Sequence, residues 1–106
     1  MNALNFKQQL PYISTPREAR FLSNVINDAL AIKELRTLTG SDNIWDTARH
    51  LRAKGWLIHT IKRPVFDRDG NKTTSGYYQL DQSQREHAQT VLNEFYRSTQ
   101  QTVEVV

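Results

Sequence analysis

The chain has 106 residues, enough for one domain with one modest core. Hydrophobic residues make up 38% and charged residues 24%, and the longest stretch without a charged side chain is nine residues, Gln8 to Pro16, so a membrane span of about 20 apolar residues is excluded. The net charge of +3 is unevenly spread, with nine basic and five acidic side chains in residues 33–72 and a net −2 in residues 73–106; cysteine is absent, which excludes disulfides, thiolate metal sites and cysteine nucleophiles.

Residues 1–14 show no sustained hydrophobic period. Leu4, Phe6, Leu10, Tyr12 and Ile13 are spaced apolar residues in a Gln/Asn-rich setting. They predict an N-terminal arm that either packs on the domain or stays loose. The start, Met1 to Lys7, has no basic head followed by an apolar run, so no secretory signal is expected. With no cysteine in the chain, a reducing, cytoplasmic setting is the expected one.

Thr15-Pro16-Arg17-Glu18 is a helix start. Thr15 and Glu18 form a capping box, and Pro16 suits the first helical position, where no amide donor is needed. Phe21, Leu22, Val25 and Ile26 recur at helical spacing, which predicts a first helix over 16–27. Leu30-Ala31-Ile32 reads as a brief strand. A second helix follows over 32–39, with Leu35 and Leu38 inward and Gly40 as its stop. Ser41, Asp42 and Asn43 all suit an N-cap, so a third helix runs over 43–54 and ends at Gly55.

The period then changes. Trp56 to Ile61 is rich in β-branched and aromatic residues and reads as a strand, which Pro64 limits or places at a sheet edge. Asp69-Gly70 signals a hairpin turn, and Thr73 to Leu80 reads as the returning strand. Ser83-Gln84-Arg85-Glu86 is a second capping box. Ala88, Val91, Leu92, Phe95 and Tyr96 then form one face of a helix over 83–98. That face either closes the core or, where Val91, Leu92, Phe95 and Tyr96 stay uncovered, forms a homodimer interface. The tail, 100–106, reads as frayed.

Two helices joined by a short glycine-containing connection, followed by a hairpin, are the parts of a helix-turn-helix with an adjoining ribbon. The runs Ile32-Lys33-Glu34-Leu35 to Leu38-Thr39-Gly40, Leu51-Arg52-Ala53-Lys54-Gly55-Trp56-Leu57-Ile58 and Gly76-Tyr77-Tyr78-Gln79-Leu80 resemble the small winged helix-turn-helix DNA-binding proteins of bacteriophages and prophages. The resemblance covers residues 30–81. It departs at Ala31, where such proteins often carry a capping Ser or Thr. It implies an α+β fold: an arm over 1–14, a winged helix-turn-helix domain over 15–81, and an additional C-terminal helix over 82–99.

On a helical wheel of the third helix, Ile44, Ala48 and Leu51 point to the core. Asn43, Asp46, Arg49, His50 and Ala53 lie opposite, with Trp45 and Arg52 flanking one side and Thr47 and Lys54 the other. Arg can donate two bonds to guanine and Asn can pair with adenine, so this face suits a major groove. Asp46 would repel phosphates, yet it can accept from cytosine or orient Arg49. The same face also reads as a plain solvated surface. In the hairpin, Lys62, Arg63, Arg68 and Lys72 are candidate phosphate contacts, and the resemblance implies a hairpin tip that lies along phosphates or in the minor groove; the same segment also reads as a charged hairpin that only keeps the tip soluble. Arg17 and Arg20 are further candidates. The expected DNA-binding set is therefore Asn43, Asp46, Thr47, Arg49, His50, Lys54, Arg63, Arg68 and Lys72.

Sharper chemistry is not legible. His50, His59 and His87 are dispersed and lack clustered carboxylates, so no metal site is expected. Asp67-Arg68-Asp69-Gly70 lacks the glycine and closing glutamate of a calcium loop. No phosphate-binding glycine loop and no nucleophile–base arrangement is visible, so neither a cofactor nor an enzyme is expected. Trp56 reads as core, and Trp45 as half-buried beside the core face. The leading expectation is sequence-specific binding of double-stranded DNA by a transcriptional regulator or a replication or excision accessory factor. The alternative is a protein-interaction module that modulates a host protein complex.

Overall fold

The computed structural model describes residues 10–101; the expected arm up to residue 9, including Leu4 and Phe6, and the tail from 102 lie outside the described residues. Helix α1 spans Pro16–Val25. Thr15 Oγ1 accepts from the Glu18 amide at 3.1 Å, as a capping residue should. The Glu18 carboxylate takes the Ser14 amide at 2.7 Å rather than that of Thr15, because Lys54 holds it inward. The helix ends at Val25, two residues before the expected limit, ahead of Asn27-Asp28, both weak helix formers.

Strand β1 is Leu30–Ala31 and leads directly into helix α2, Ile32–Thr39. Ala31 sits at the N-cap and supplies no side-chain bond there. Gly40 ends α2 with φ +73°, a conformation that favours glycine, and its amide bonds to the Arg36 carbonyl at 3.1 Å. Arg20 from α1 donates to the Thr39 carbonyl at 3.1 and 3.0 Å, closing the same helix end. Helix α3, Ile44–Ala53, follows after a short turn with Asn43 as its N-cap.

Strands β2, Ile58–Phe66, and β3, Lys72–Leu80, form an antiparallel hairpin in continuous register from Ile58↔Leu80 to Phe66↔Lys72. The expected strand ended at Ile61; pairing with β3 carries it on through Lys62, Arg63 and Pro64. Pro64 is tolerated because the sheet order is β1-β3-β2, which leaves β2 at an edge with alternate amides facing solvent. Trp56 precedes the strand and is buried in the core. Its indole N–H donates to the Tyr12 carbonyl at 2.8 Å, and its ring stacks on His87. His87 Nε2 donates to the Pro11 carbonyl at 2.9 Å, so residues 11–13 pack against the body.

A 3-10 turn, Gln82–Gln84, precedes helix α4, Arg85–Gln101. The expected Ser83 capping box does not start this segment. Asp81 does, accepting from the Ser83 amide at 3.0 Å and from the Ser83 hydroxyl. Gln84 then bonds the Leu57 amide and the Gly55 carbonyl, fastening α4 to the α3–β2 junction.

One core joins all these elements. Phe21, Leu22 and Val25 of α1, Leu35 of α2, Ile44, Ala48 and Leu51 of α3, Tyr78 and Leu80 of β3, and Ala88 and Leu92 of α4 are buried together. The described residues thus form a mixed α+β fold of four helices and a three-stranded antiparallel sheet. Of the face expected to close the core or dimerise, Leu92 is buried, Val91 and Phe95 pack against the core, and Tyr96 is exposed with its ring edge-on to Phe95. Most of that face is therefore covered within the chain. Leu38, expected inward on α2, is instead exposed, because Leu35 and Thr39, with the partly buried Ile32, make the inward stripe.

Candidate nucleic-acid interface

Helix α3 buries Ile44, Ala48 and Leu51 and turns Arg49, His50 and Trp45 to solvent. Asn43 is exposed, but its Oδ1 is used as the cap, accepting from the Asp46 amide at 3.2 Å. Asp46 accepts from Arg49 and lies 3.8 Å from His50 Nε2. The Arg49 hydrogen bond, helped by the charge of Arg49 and His50, holds the Asp46 carboxyl below its ordinary range. The outward face of α3 therefore pairs its own arginine with its own acid.

Two members of the expected set turn inward. Thr47 is buried, with its hydroxyl 3.5 Å from that of Ser41. Lys54 reaches across to α1, where Nζ lies 2.7 Å from both oxygens of Glu18 and 3.0 Å from the Ser14 hydroxyl. The Lys54 and Glu18 side chains are only 18% and 6% exposed. The placement of Thr47 and Lys54 beside the outward face is thus corrected. Both lie on the α1 side of α3, and a buried carboxylate needs its cation.

The opposite flank of α3 meets the hairpin. Arg52 donates to the Ile58 carbonyl at 3.0 and 2.6 Å and to Thr60 Oγ1 at 2.9 Å. Trp45 stands seven residues earlier on the same helical side and is 59% exposed, so its burial is partial, as expected. Alternation along β2 places Lys62, Pro64 and Phe66 on the face that carries Ile58 and Thr60. Gly76 and Lys72 pair with Lys62 and Phe66 on that face. A Cβ at Gly76 would come within 3.0 Å of Ile32 Cδ1, so the first turn of α2 also borders this side of the ribbon. Arg63 lies on the other face, its guanidinium 4.6 Å from the centre of the Tyr77 ring. The structure therefore does not bring Arg63 to the side that α3 shares.

The turn of the hairpin is built by Asp67. Its carboxylate accepts from the Asp69 and Asn71 amides at 2.9 and 2.8 Å, and its amide donates to the Asn71 carbonyl. Arg68 and Lys72 are exposed around this turn.

Apart from Arg49, paired with Asp46, and Arg63, over the Tyr77 ring, the described Lys and Arg side chains fall into two sets. Arg20, Arg52, Lys54 and Arg85 each hold a carbonyl or a carboxylate of the fold. Lys33, Arg36, Lys62, Arg68 and Lys72 have no ion-pair or hydrogen-bond partner among the described residues, and neither do Arg17 and Arg97. Lys33 and Arg36 line a shallow cleft of about 430 Å³ with Thr37, Gly40, Ser41 and Asp42, at the N-terminal end of α3. Lys62 and Lys72 stand on the hairpin. These unpartnered cations thus lie on α2 and on the hairpin, the two elements that border α3. The sequence-based set omitted Lys33, Arg36, Trp45 and Phe66, and it kept Arg63 in preference to the other hairpin candidate, Lys62. Period-two alternation outward from Thr60 is the signal that separates Lys62 from Arg63.

No group of three or more His, Cys, Asp or Glu side chains that could hold a metal ion occurs among the described residues. No helix among them is long and apolar enough to cross a membrane. In comparison with known proteins, no family model, curated protein or solved structure matches the chain.

Proposed function

We propose that this chain is a winged helix-turn-helix protein that binds double-stranded DNA with sequence preference, of the phage and prophage kind. Its role is that of a transcriptional regulator or of an accessory factor in replication or excision. The element order α1-β1-α2-α3-β2-β3, with a short glycine turn between α2 and α3, supports the winged-helix reading. α3 enters the major groove and the β2–β3 wing follows the flanking backbone. The observation that carries the reading is that Lys33 and Arg36 of α2 and Lys62 and Lys72 of the hairpin, the two elements that border α3, have no partner among the described residues. Phosphates are the chemistry such a pair of cationic borders fits. Arg49 supplies base readout. Its pair with Asp46 is exposed and so is easily exchanged for a guanine edge.

The test is selection of bound fragments from random DNA, followed by retardation assays at several salt concentrations. Arg49→Ala lowers discrimination at one position of the site by about 1–3 kcal/mol. Lys72→Ala weakens binding to every sequence and reduces the salt slope by about 1. A chain that retards no duplex at low salt overturns the proposal.

A protein-interaction module is the second reading. The self-neutralising Asp46–Arg49 pair and the exposed Leu38 and Trp45 favour it. Recovery of a stoichiometric host protein together with absence of any duplex complex would decide for it.

A further inference from the structure

We propose that Phe66, at the tip of the β2–β3 ribbon, is an apolar wedge that enters the minor groove of the duplex and bends it. The proposal rests on the duplex-binding reading and adds a site and a mechanical consequence to it. Phe66 is 73% exposed, the most exposed of the large apolar side chains described. It sits at the last rung of the ladder, paired with Lys72, on the sheet face that carries Lys62. The ring has no aromatic partner among the described residues and lies outside the core cluster. Sequestration inside the chain therefore does not explain it.

The tip is held in one shape. Asp67, next in sequence, accepts two amides of the turn, and the Gly70 amide returns to the Asp67 carbonyl at 3.0 Å, with Gly70 at φ +83°. A ring presented on such a turn approaches a partner with little conformational entropy left to lose. The surroundings state the partner's charge. The turn carries the acids Asp67 and Asp69, but residues 62–72 set four cations, Lys62, Arg63, Arg68 and Lys72, against these two, and Lys62, Arg68 and Lys72 are exposed with no partner among the described residues, so a polyanion is a better match than an apolar protein groove. The ribbon continues beyond the last rung that contributes to the core, Thr60↔Tyr78, by six residues of β2, roughly 20 Å at about 3.3 Å per residue. That reach carries the tip from a major-groove helix to the neighbouring minor groove, about 6 Å wide. Apolar side chains inserted there unstack a base step and kink the duplex by roughly 20–90°. The cations beside Phe66 then meet phosphates on the two groove walls.

The experiment measures bending of a 30-base-pair duplex, recovered by selection from random DNA, by energy transfer between dyes at its ends. The full chain is compared with Phe66→Ala, Phe66→Leu and Lys72→Ala, each checked for folding by circular dichroism. The wild-type chain shortens the end-to-end distance. Phe66→Ala removes the shortening and weakens binding by about tenfold, the order expected for one lost aromatic–base contact. Phe66→Leu retains most of the bend. Lys72→Ala lowers affinity and the salt slope while the saturated complex stays bent. Undiminished bending and affinity in Phe66→Ala, or a straight duplex in the wild-type complex, would overturn the wedge and leave duplex binding intact. Failure of the wild-type chain to bind any duplex would overturn both.

Discussion

Lys54 and Lys72 have the same side chain and opposite surroundings. At the base of α3, Lys54 is enclosed with Glu18, Arg52 bonds Ile58 and Thr60, and the Trp56 indole donates to Tyr12. On the outer ribbon, Lys62, Arg68 and Lys72 stand in solvent with no partner among the described residues. The base spends its polar groups on the fold itself, whereas the ribbon holds them ready for something else. A net basic stretch in a sequence therefore mixes two kinds of cation, and only the second kind bears on a partner.

The largest expected effect breaks this contrast directly. Lys54→Ala leaves the buried Glu18 carboxylate without its cation and lowers unfolding free energy by about 3 kcal/mol. Lys72→Ala changes it by no more than about 0.5 kcal/mol. Urea denaturation of the two variants side by side measures the difference. Equal midpoints would mean that Lys54 is as free as Lys72. A Glu18→Gln, Lys54→Met double variant should recover a large part of the loss, because no buried charge then remains unpaired.

Trp56→Phe sharpens the comparison within the base. It keeps an aromatic ring in the core but removes the N–H that holds the Tyr12 carbonyl at 2.8 Å. The cost is about 1–2 kcal/mol. Amide exchange should rise in residues 11–13, where that bond fastens the chain, while protection of the hairpin amides stays as it was. Faster exchange throughout the ribbon would show that the two regions are coupled.

The smallest effect concerns the hinge between them. Asp81 joins His59 at the start of the hairpin to the first turn before α4, with His59 Nε2 donating at 2.7 Å. The Ser83 hydroxyl, then His59, then the Ser83 amide hold the Asp81 carboxyl down to about 2. Such a depressed carboxyl adds stability that is fully present above its ordinary value near 4 and is lost as pH falls through about 2. Asp81→Asn should therefore melt below the wild-type chain at pH 7, and the two melting temperatures should converge towards pH 2. A constant gap across that range would show that the carboxylate charge does not matter there.

Local signals were legible wherever one short segment decides the outcome. Thr15 and Pro16 start α1, Gly40 stops α2, Asn43 caps α3, and Asp69-Gly70 turns the hairpin, because each acts through backbone groups a few residues away. Helical spacing also found the buried side of α3. The candidate site was legible only in part. Arg49 and His50 face outward as the wheel requires, while Thr47 and Lys54 had to be assigned by their neighbours in space.

By itself the sequence determined the elements, their order and the inward residues of α3, since these follow from periodicity and capping over distances of one or two helical turns. Only the tertiary structure decided that Lys54 serves Glu18, that Pro64 lies within an edge strand, that Arg63 and Lys62 face opposite ways, and that Phe66 projects unburied. Each of these depends on a contact between residues far apart in the chain, or on the absence of one. A charge or a ring carries no mark of its partner until packing brings that partner within a few ångströms.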